Sequence, residues 1–230
     1  MAEPIEAFKN AFKIPELKSR ILFTLFMLTL YRLGAHVPVP GVDGGALASM
    51  LGRGSGLLGF YDMFTGGAFS NATVFALGIM PYITASIILS LLVNVIPALE
   101  ELQKQGQEGQ RKINDYTRYG TIVLCIVQSV GIAVYLQGMG TEIVPQPGLF
   151  FIVLTMITLT TGTAFIMWLG EQITEHGIGN GMSLIIFIGI ISGMPTALQN
   201  LFGLMGTGQI SMVKALVLAA MMVFVVAAAV

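Results

Sequence analysis

No charged residue falls between Asp62 and Glu100, yet the segment is broken in the middle. Phe60-Tyr61-Asp62-Met63-Phe64 is a short helical piece, Thr65-Gly66-Gly67-Ala68-Phe69-Ser70-Asn71 interrupts it, and an apolar run from Ala72 to Leu92 follows. At about 1.5 Å per residue the piece before Gly66 cannot cross roughly 30 Å of hydrocarbon. Its backbone can lie at membrane depth only inside protein or against a wet cavity. The pattern therefore predicts a short helix hinged to a full span, with a cavity beside it. An apolar stopper at the mouth of a cavity points to conduction before catalysis.

Hydropathy and turn signals predict six spans, at about Ile21–Val37, Thr73–Leu99, Tyr119–Gln137, Leu149–Gly170, Met182–Leu201 and Ser211–Val230. Lys9, Lys13, Lys18 and Arg20 precede the first, and Lys104, Arg111, Lys112 and Arg118 lie between the second and third. The positive-inside rule puts both segments, and the N-terminus, in the cytoplasm. The Gly138–Gly148 loop then falls outside, Glu171–Gly181 inside and Phe202–Ile210 outside. Arg53 and Lys214 are on the outer side, and Arg32 can snorkel from the outer end of the first span. No small-residue cleavage site follows the first apolar run, so it is read as a retained span. The sixth span reaches Val230 without a polar flank, which leads us to expect the N-terminal part of a longer protein, with 1–201 as a five-span half and 211–230 as the first span of a second half.

Composition sharpens the picture by exclusion. Apolar residues make up 55% and charged residues 10% of 230 positions, against about 25% charged in a soluble domain. The expected fold class is an all-α polytopic membrane protein. A net charge of −1 offers no basic surface for nucleic acid. The single cysteine, Cys125, lies in an apolar run, and His36 and His176 are far apart, so neither an internal disulfide nor a metal-ligand cluster is expected, and no cofactor.

Three groups of residues carry candidate chemistry. Around Pro81, Ile79, Ile83 and Ile87 recur at every fourth position, and Gly78 and Pro81 loosen the helix between the first two. They are either packing residues of a kinked span, which spacing alone favours, or a narrow apolar constriction that excludes ions by dewetting. In Glu171–Ser183, Gly177, Gly179 and Gly181 do not have dinucleotide-fingerprint spacing and no strand precedes them, so a tight inter-helix turn is expected. Glu171 and Glu175 share a helix face, either water-facing or paired with a neighbouring loop. Thr84 and Gln128 are uncharged polar groups inside apolar spans, either helix-helix glue worth about 0.6 kcal/mol or a polar seam that can part.

Three long ungapped stretches, Phe75–Ser86, Arg111–Gly120 and Trp168–Gly181, together resemble the bacterial SecY family, the pore subunit of the general protein-secretion channel. The resemblance runs nearly end to end but covers about the first half of that ten-span family. It implies an hourglass pore between two pseudosymmetric halves, an outer plug, a waist ring of mostly isoleucines and a lateral gate opening to lipid. Matching motifs put the plug on about 60–70, with Phe60, Tyr61, Asp62, Met63, Phe64, Gly66, Gly67 and Phe69. The ring falls on Ile79 and Ile83 of the second span and Met182 and Ile186 of the fifth, where Met182 departs from the usual isoleucine. Gate-lining positions include Thr84 and Gln128. The implied partners are the SecE and SecG subunits, a SecA motor or ribosome, signal peptides and unfolded secretory chains, and membrane lipid. The implied location is the bacterial inner membrane.

The function expected is thus a non-enzymatic, protein-conducting channel. A small-solute transporter would need ionisable residues inside its spans, whereas Asp43, Asp62, Asp115 and every glutamate lie in loops or near span ends. An intramembrane hydrolase would need a nucleophile with a base, or paired aspartates, at depth. The stopper is expected to be held by few contacts, with Gly66 and Gly67 lowering the torsional cost of swinging it aside.

Overall fold

A computed structural model describes residues 14–51, 57–206 and 212–229. The described residues are almost wholly helical. The helices are α1 (Pro15–Gly34), α2 (Gly44–Leu51), α3 (Leu57–Thr65), α4 (Met80–Val95), α5 (Pro97–Lys104), α6 (Gln107–Gly138), α7 (Leu149–His176), α8 (Gly181–Gly206) and α9 (Met212–Ala229). By length and composition α6, α7 and α8 can each cross a membrane, and α4 with α5, bent by 99°, forms a fourth candidate. The fold divides into one unit ending at Ile190 and another beginning at Ile191. In the second, Pro195 lies inside α8, and exposed Phe202 and Phe224 are apolar surface suited to lipid. Lys9, Lys13, Arg53 and residues 207–211 of the sequence reading lie outside the described residues.

The second expected span differs most from its sequence reading. Residues 66–79 are a chain of turns, and the helix begins only at Met80, with Pro81 in its first turn. Proline has no N–H to give and a fixed φ, so it starts a helix where it would have kinked one. Pro81 is therefore an initiator, not the mid-span kink anticipated. At the other end Pro97 forces Ile96 into extended backbone (φ −98°, ψ 113°), and the chain turns sharply into α5. The third span is longer than hydropathy indicates. Its polar first turns, carrying an i,i+4 pair between Glu108 and Lys112 (3.2 Å), continue the same helix, so α6 is about 48 Å long and extends well past the hydrocarbon.

The buried stripe of α6 is built mostly from small residues. On α6 the buried positions Gly109, Ile113, Thr117, Thr121, Cys125, Ser129 and Ala133 fall at strict four-residue intervals. Hydroxyls of Thr117 and Thr121 donate to the carbonyls four residues before them (3.0 and 2.7 Å), which hides their polarity and lets the backbones approach.

Hydrogen bonds sort the loops into two ends. At one end the Arg20 guanidinium donates to the Gly177 carbonyl (3.5 Å), the Ile178 amide donates to Thr24 Oγ1 (3.1 Å), and Arg118 Nε donates to Glu171 Oε1 (2.6 Å). Glu171 is therefore the paired carboxylate of the two alternatives. At the other end Val74 donates to Val37 and Val39 to Ala72 (both 2.8 Å), while Asp43 donates to Ile143 (2.9 Å). The beginning of α1, the polar part of α6 and the α7–α8 turn thus share one side, as the charge alternation requires. That turn is tight: Asn180 Oδ1 accepts from the Ser183 amide (3.0 Å), Gly179 is left-handed (φ 73°), and a side chain at Gly181 would meet the Gly170 carbonyl.

Candidate functional site: a stoppered apolar waist beside a cleft

The stopper helix α3 ends where its sequence dictates. Gly66 and Gly67 take left-handed backbone (φ 66° and 87°), Gly66 N–H donates to Met63 (3.3 Å) and Gly67 N–H reaches back to Asp62 (3.0 Å). These two bonds satisfy the last carbonyls of the helix, and glycine makes the left-handed pair inexpensive. The Asp62 carboxylate accepts from the amides of Phe69 (3.1 Å) and Ser70 (2.9 Å), and from the Thr65 hydroxyl (3.4 Å). Tyr61 Oη donates to the Leu77 carbonyl (3.0 Å), and its ring meets Phe69 edge-on, with centroids 5.3 Å apart. Arg32 adds a bond from α1 to the Gly66 carbonyl (3.4 Å). The expectation of few contacts is corrected by this network: a carboxylate and a phenol hold the piece, and a guanidinium holds its root. Met63 and Phe64 are exposed, Phe69 is buried in the turn after the helix, and the Phe60 side chain lies outside the described residues.

The four ring positions lie in one apolar cluster. Ile79 is 6% exposed and immediately precedes α4, and Ile83, one turn on, is half-buried beside it. Met182 and Ile186 join the cluster from the first turns of α8, together with buried Tyr31, Phe75 and Ile166. Met182 sits in the space left by Gly170 on α7, where a Cβ would overlap its sulfur, so its flexible thioether fills a groove between helices. Ile87, the third residue of the anticipated stripe, is 55% exposed and outside the cluster.

α3 touches both segments that bear the expected ring positions. Thr65 is 1% exposed, and its methyl lies 3.0 Å from where a Cβ on Gly78 would stand, one residue before Ile79. The Phe64 carbonyl lies against Gly189, about one turn beyond Ile186 on α8. Both contacts are displaced from the four ring positions in the outward direction of the expected topology.

Beside this waist a cleft of about 600 Å³ is lined by Thr84 and Met80 of α4, Gln128 and Tyr135 of α6, and Tyr61 and Phe69 of the stopper segment. Thr84 and Gln128, 44 positions apart in sequence, are thus brought to one wall-lined space. The Thr84 hydroxyl is spent on the Met80 carbonyl (3.0 Å), whereas Gln128 makes none of the hydrogen bonds found among the described residues. Tyr135 went unnoticed in the sequence, although a tyrosine near the end of an apolar span is a usable signal. The Asp62 network was equally unseen, because its amide donors lie seven and eight residues downstream and no local spacing rule covers that reach.

The comparisons with known proteins follow this geometry. A family model described as SecY matches residues 73–230. The chain belongs to the SecY family. Among relatives, the protein translocase subunit SecY of Haemophilus influenzae is 48% identical over 206 residues, covering 89% of this chain and 47% of its own. The SecY subunit of Escherichia coli K12 is 52% identical over 188 residues, covering 80% of this chain and 42% of its own. The chain therefore spans about half the length of these relatives. Among solved structures, one of a protein conducting channel superposes with TM-score 0.55 at 21% identity, covering 84% of this chain and 41% of that one. A SecY structure, described for its plug domain stabilising the closed channel, superposes with TM-score 0.53 at 22% identity, covering 86% and 41%. At those identities the superpositions establish the fold alone, a helical SecY-type fold. This is a membrane protein of the translocase family.

Proposed function

We propose that the complete protein is the pore subunit of a bacterial inner-membrane translocase, with its N-terminus in the cytoplasm. It passes unfolded secretory polypeptides across the bilayer and releases apolar segments sideways into lipid. The observation that carries this reading is α3, seated on the outward side of two pairs of apolar residues and contacting both segments that bear them. In this reading Ile79, Ile83, Met182 and Ile186 form half of the waist ring, α3 with the turn to Ser70 is the plug, and Thr84 and Gln128 line the lateral gate. The protein performs no covalent chemistry. SecE and SecG complete the complex, and a SecA motor or a ribosome supplies the driving energy.

The gate operates by solvation. An apolar signal segment is more stable against lipid than in a wet pore, so its arrival favours the parted state to the extent of its differential affinity. Replacing Thr84 by Val and Gln128 by Leu in the complete protein removes the polar groups from the cleft wall. The minimum hydrophobicity that a signal segment needs for insertion then shifts, measured with a graded series of Leu-to-Ala signal segments. An unchanged threshold assigns both residues to ordinary packing and removes the gate from this reading.

Orientation has its own test. In a background with Cys125 replaced by Ser, single cysteines near Lys104 react with a membrane-impermeant maleimide only from the cytoplasmic side, and those near Glu142 only from outside. The reverse pattern overturns the topology.

A further inference from the structure

The plug reading leaves open what keeps a nine-residue helix closed when two glycines stand at its root. Residues downstream of those glycines are pinned. Val39 and Val74 make the backbone bridge between 37–39 and 72–74, the Thr73 amide and hydroxyl both donate to the Ala68 carbonyl (2.9 and 3.0 Å), and Phe75 lies buried between the Tyr31 and Phe165 rings. A side chain at Gly162 would overlap the Val74 carbonyl, so this segment rests directly on the α7 backbone. Residues upstream, on α3, are joined to the pinned side through side chains: Thr65 Oγ1 accepts from the Phe69 amide (3.3 Å), and two adjacent residues before it reach further. Asp62 reaches across the glycines to the amides of Phe69 and Ser70, and Tyr61 reaches the carbonyl of Leu77.

We propose that Asp62 and Tyr61 are the positioning residues that latch the plug: swinging α3 about Gly66 and Gly67 requires these side-chain bonds to break together. The proposal rests on the plug reading given above. The chemistry of the latch is asymmetric. A carboxylate accepting two backbone amides is the stronger element, while a neutral phenol–carbonyl bond is the weaker. Both acceptor–donor sets are satisfied only when α3 is docked. On opening, the carboxylate and the phenol exchange these partners for water in the pore, so release needs no chemical step. Arg32, bonding Gly66 at the root, steadies the pivot without gripping the moving end.

The test uses the complete channel in its native complex, reconstituted in planar bilayers, with resting ion conductance and secretion both measured. Asp62→Ala raises the open fraction at rest by about tenfold or more, and Tyr61→Phe by about fivefold. Asp62→Asn keeps an acceptor oxygen and restores most of the closure. The control is a disulfide. The Thr65 Cβ lies 3.8 Å from the position of a Cβ on Gly78, which matches the usual disulfide separation, so Thr65→Cys with Gly78→Cys, in a Cys125→Ser background, can fasten α3 covalently; its effect is read against the same variant reduced, which equally lacks the Thr65 hydroxyl that bonds Asp62. Gly78 has a φ of 55°, and the strain of a cysteine there is measured in the reduced protein. Oxidation closes the leak of Asp62→Ala and stops secretion, and reduction reverses both. If oxidation blocks secretion while Asp62→Ala and Tyr61→Phe stay ion-tight, the latch is refuted and the plug stands. If the disulfide forms and neither secretion nor conductance responds, the plug reading itself falls, and the latch with it.

Discussion

Deletion of Phe60–Ser70 from the complete channel leaves secretion working and makes the resting membrane leak ions. The expectation follows from where the helix sits. Beside the Tyr61–Leu77 bond, its contacts with the segments that bear the expected ring positions include Thr65 beside Gly78 and the Phe64 carbonyl beside Gly189, and neither of these two buries a large side chain. Met63 and Phe64 are already 53% and 43% exposed, so removing them forfeits little packed apolar surface. The deletion also removes buried Ala68 and Phe69, but the large side chains of the main core, Tyr31, Phe75, Ile166, Leu169, Ile173 and Ile185, lie outside the deleted segment. A structural helix would behave differently, since its loss would lower the stability of the whole bundle. Thermal stability in detergent and resting conductance, measured on the same preparation, decide between the two. A deletion that unfolds the protein refutes the plug assignment, and so does one that remains ion-tight without a substitute stopper.

The second large effect is structural. Gly162→Val places a branched side chain where the Val74 carbonyl now rests on α7. The obstructing atom belongs to backbone held by the bridge to Val37–Val39, so it cannot rotate away as a flexible side chain could. Overpacking a core costs about 1–3 kcal/mol when side chains can adjust, and a backbone collision lies at or beyond the upper end of that range. Gly162→Val therefore lowers the yield of folded, inserted protein several-fold, whereas Gly131→Val does not, because a Cβ at Gly131 meets nothing within 4 Å. Protease resistance of the two variants in membranes provides the comparison, and equal resistance would contradict the close approach.

Hydropathy and turn signals made the long helices legible, because about 20 predominantly apolar residues between polar flanks admit few alternatives in a bilayer. They also located the interruption at Gly66 and Gly67, where the structure has its left-handed pair. They misjudged the segment from Ala72 to Ile79, which is as apolar as a span yet consists of turns. Apolarity reports burial and says nothing about backbone shape. This stretch is buried against α1 and α7, with its hydrogen bonds supplied by a bridge and by turns, so it has no need of a helix. Thr84 and Gln128 were identifiable as odd polar residues, and only the packing of α4 beside α6 places them in one cleft. The strict four-residue repeat of small residues on α6 was present in the sequence. It escaped notice because hydropathy averages along a helix and so discards which face a residue occupies.

The bond between Thr24 and Ile178 carries a consequence for biogenesis. It joins residues 154 positions apart, and with the Arg20–Gly177 bond it ties the N-terminal helix to the turn between α7 and α8. A ribosome adding roughly 5–20 residues per second needs roughly 8–30 s to make that interval. Throughout that time this helix has reached the bilayer while the last part of its docking surface does not yet exist. A nascent chain halted before Ile178 thus leaves the Thr24 hydroxyl without the Ile178 amide and Arg20 without the Gly177 carbonyl, and a chain halted after α8 does not. The first of the described helices to be synthesised is among the last to be fully secured.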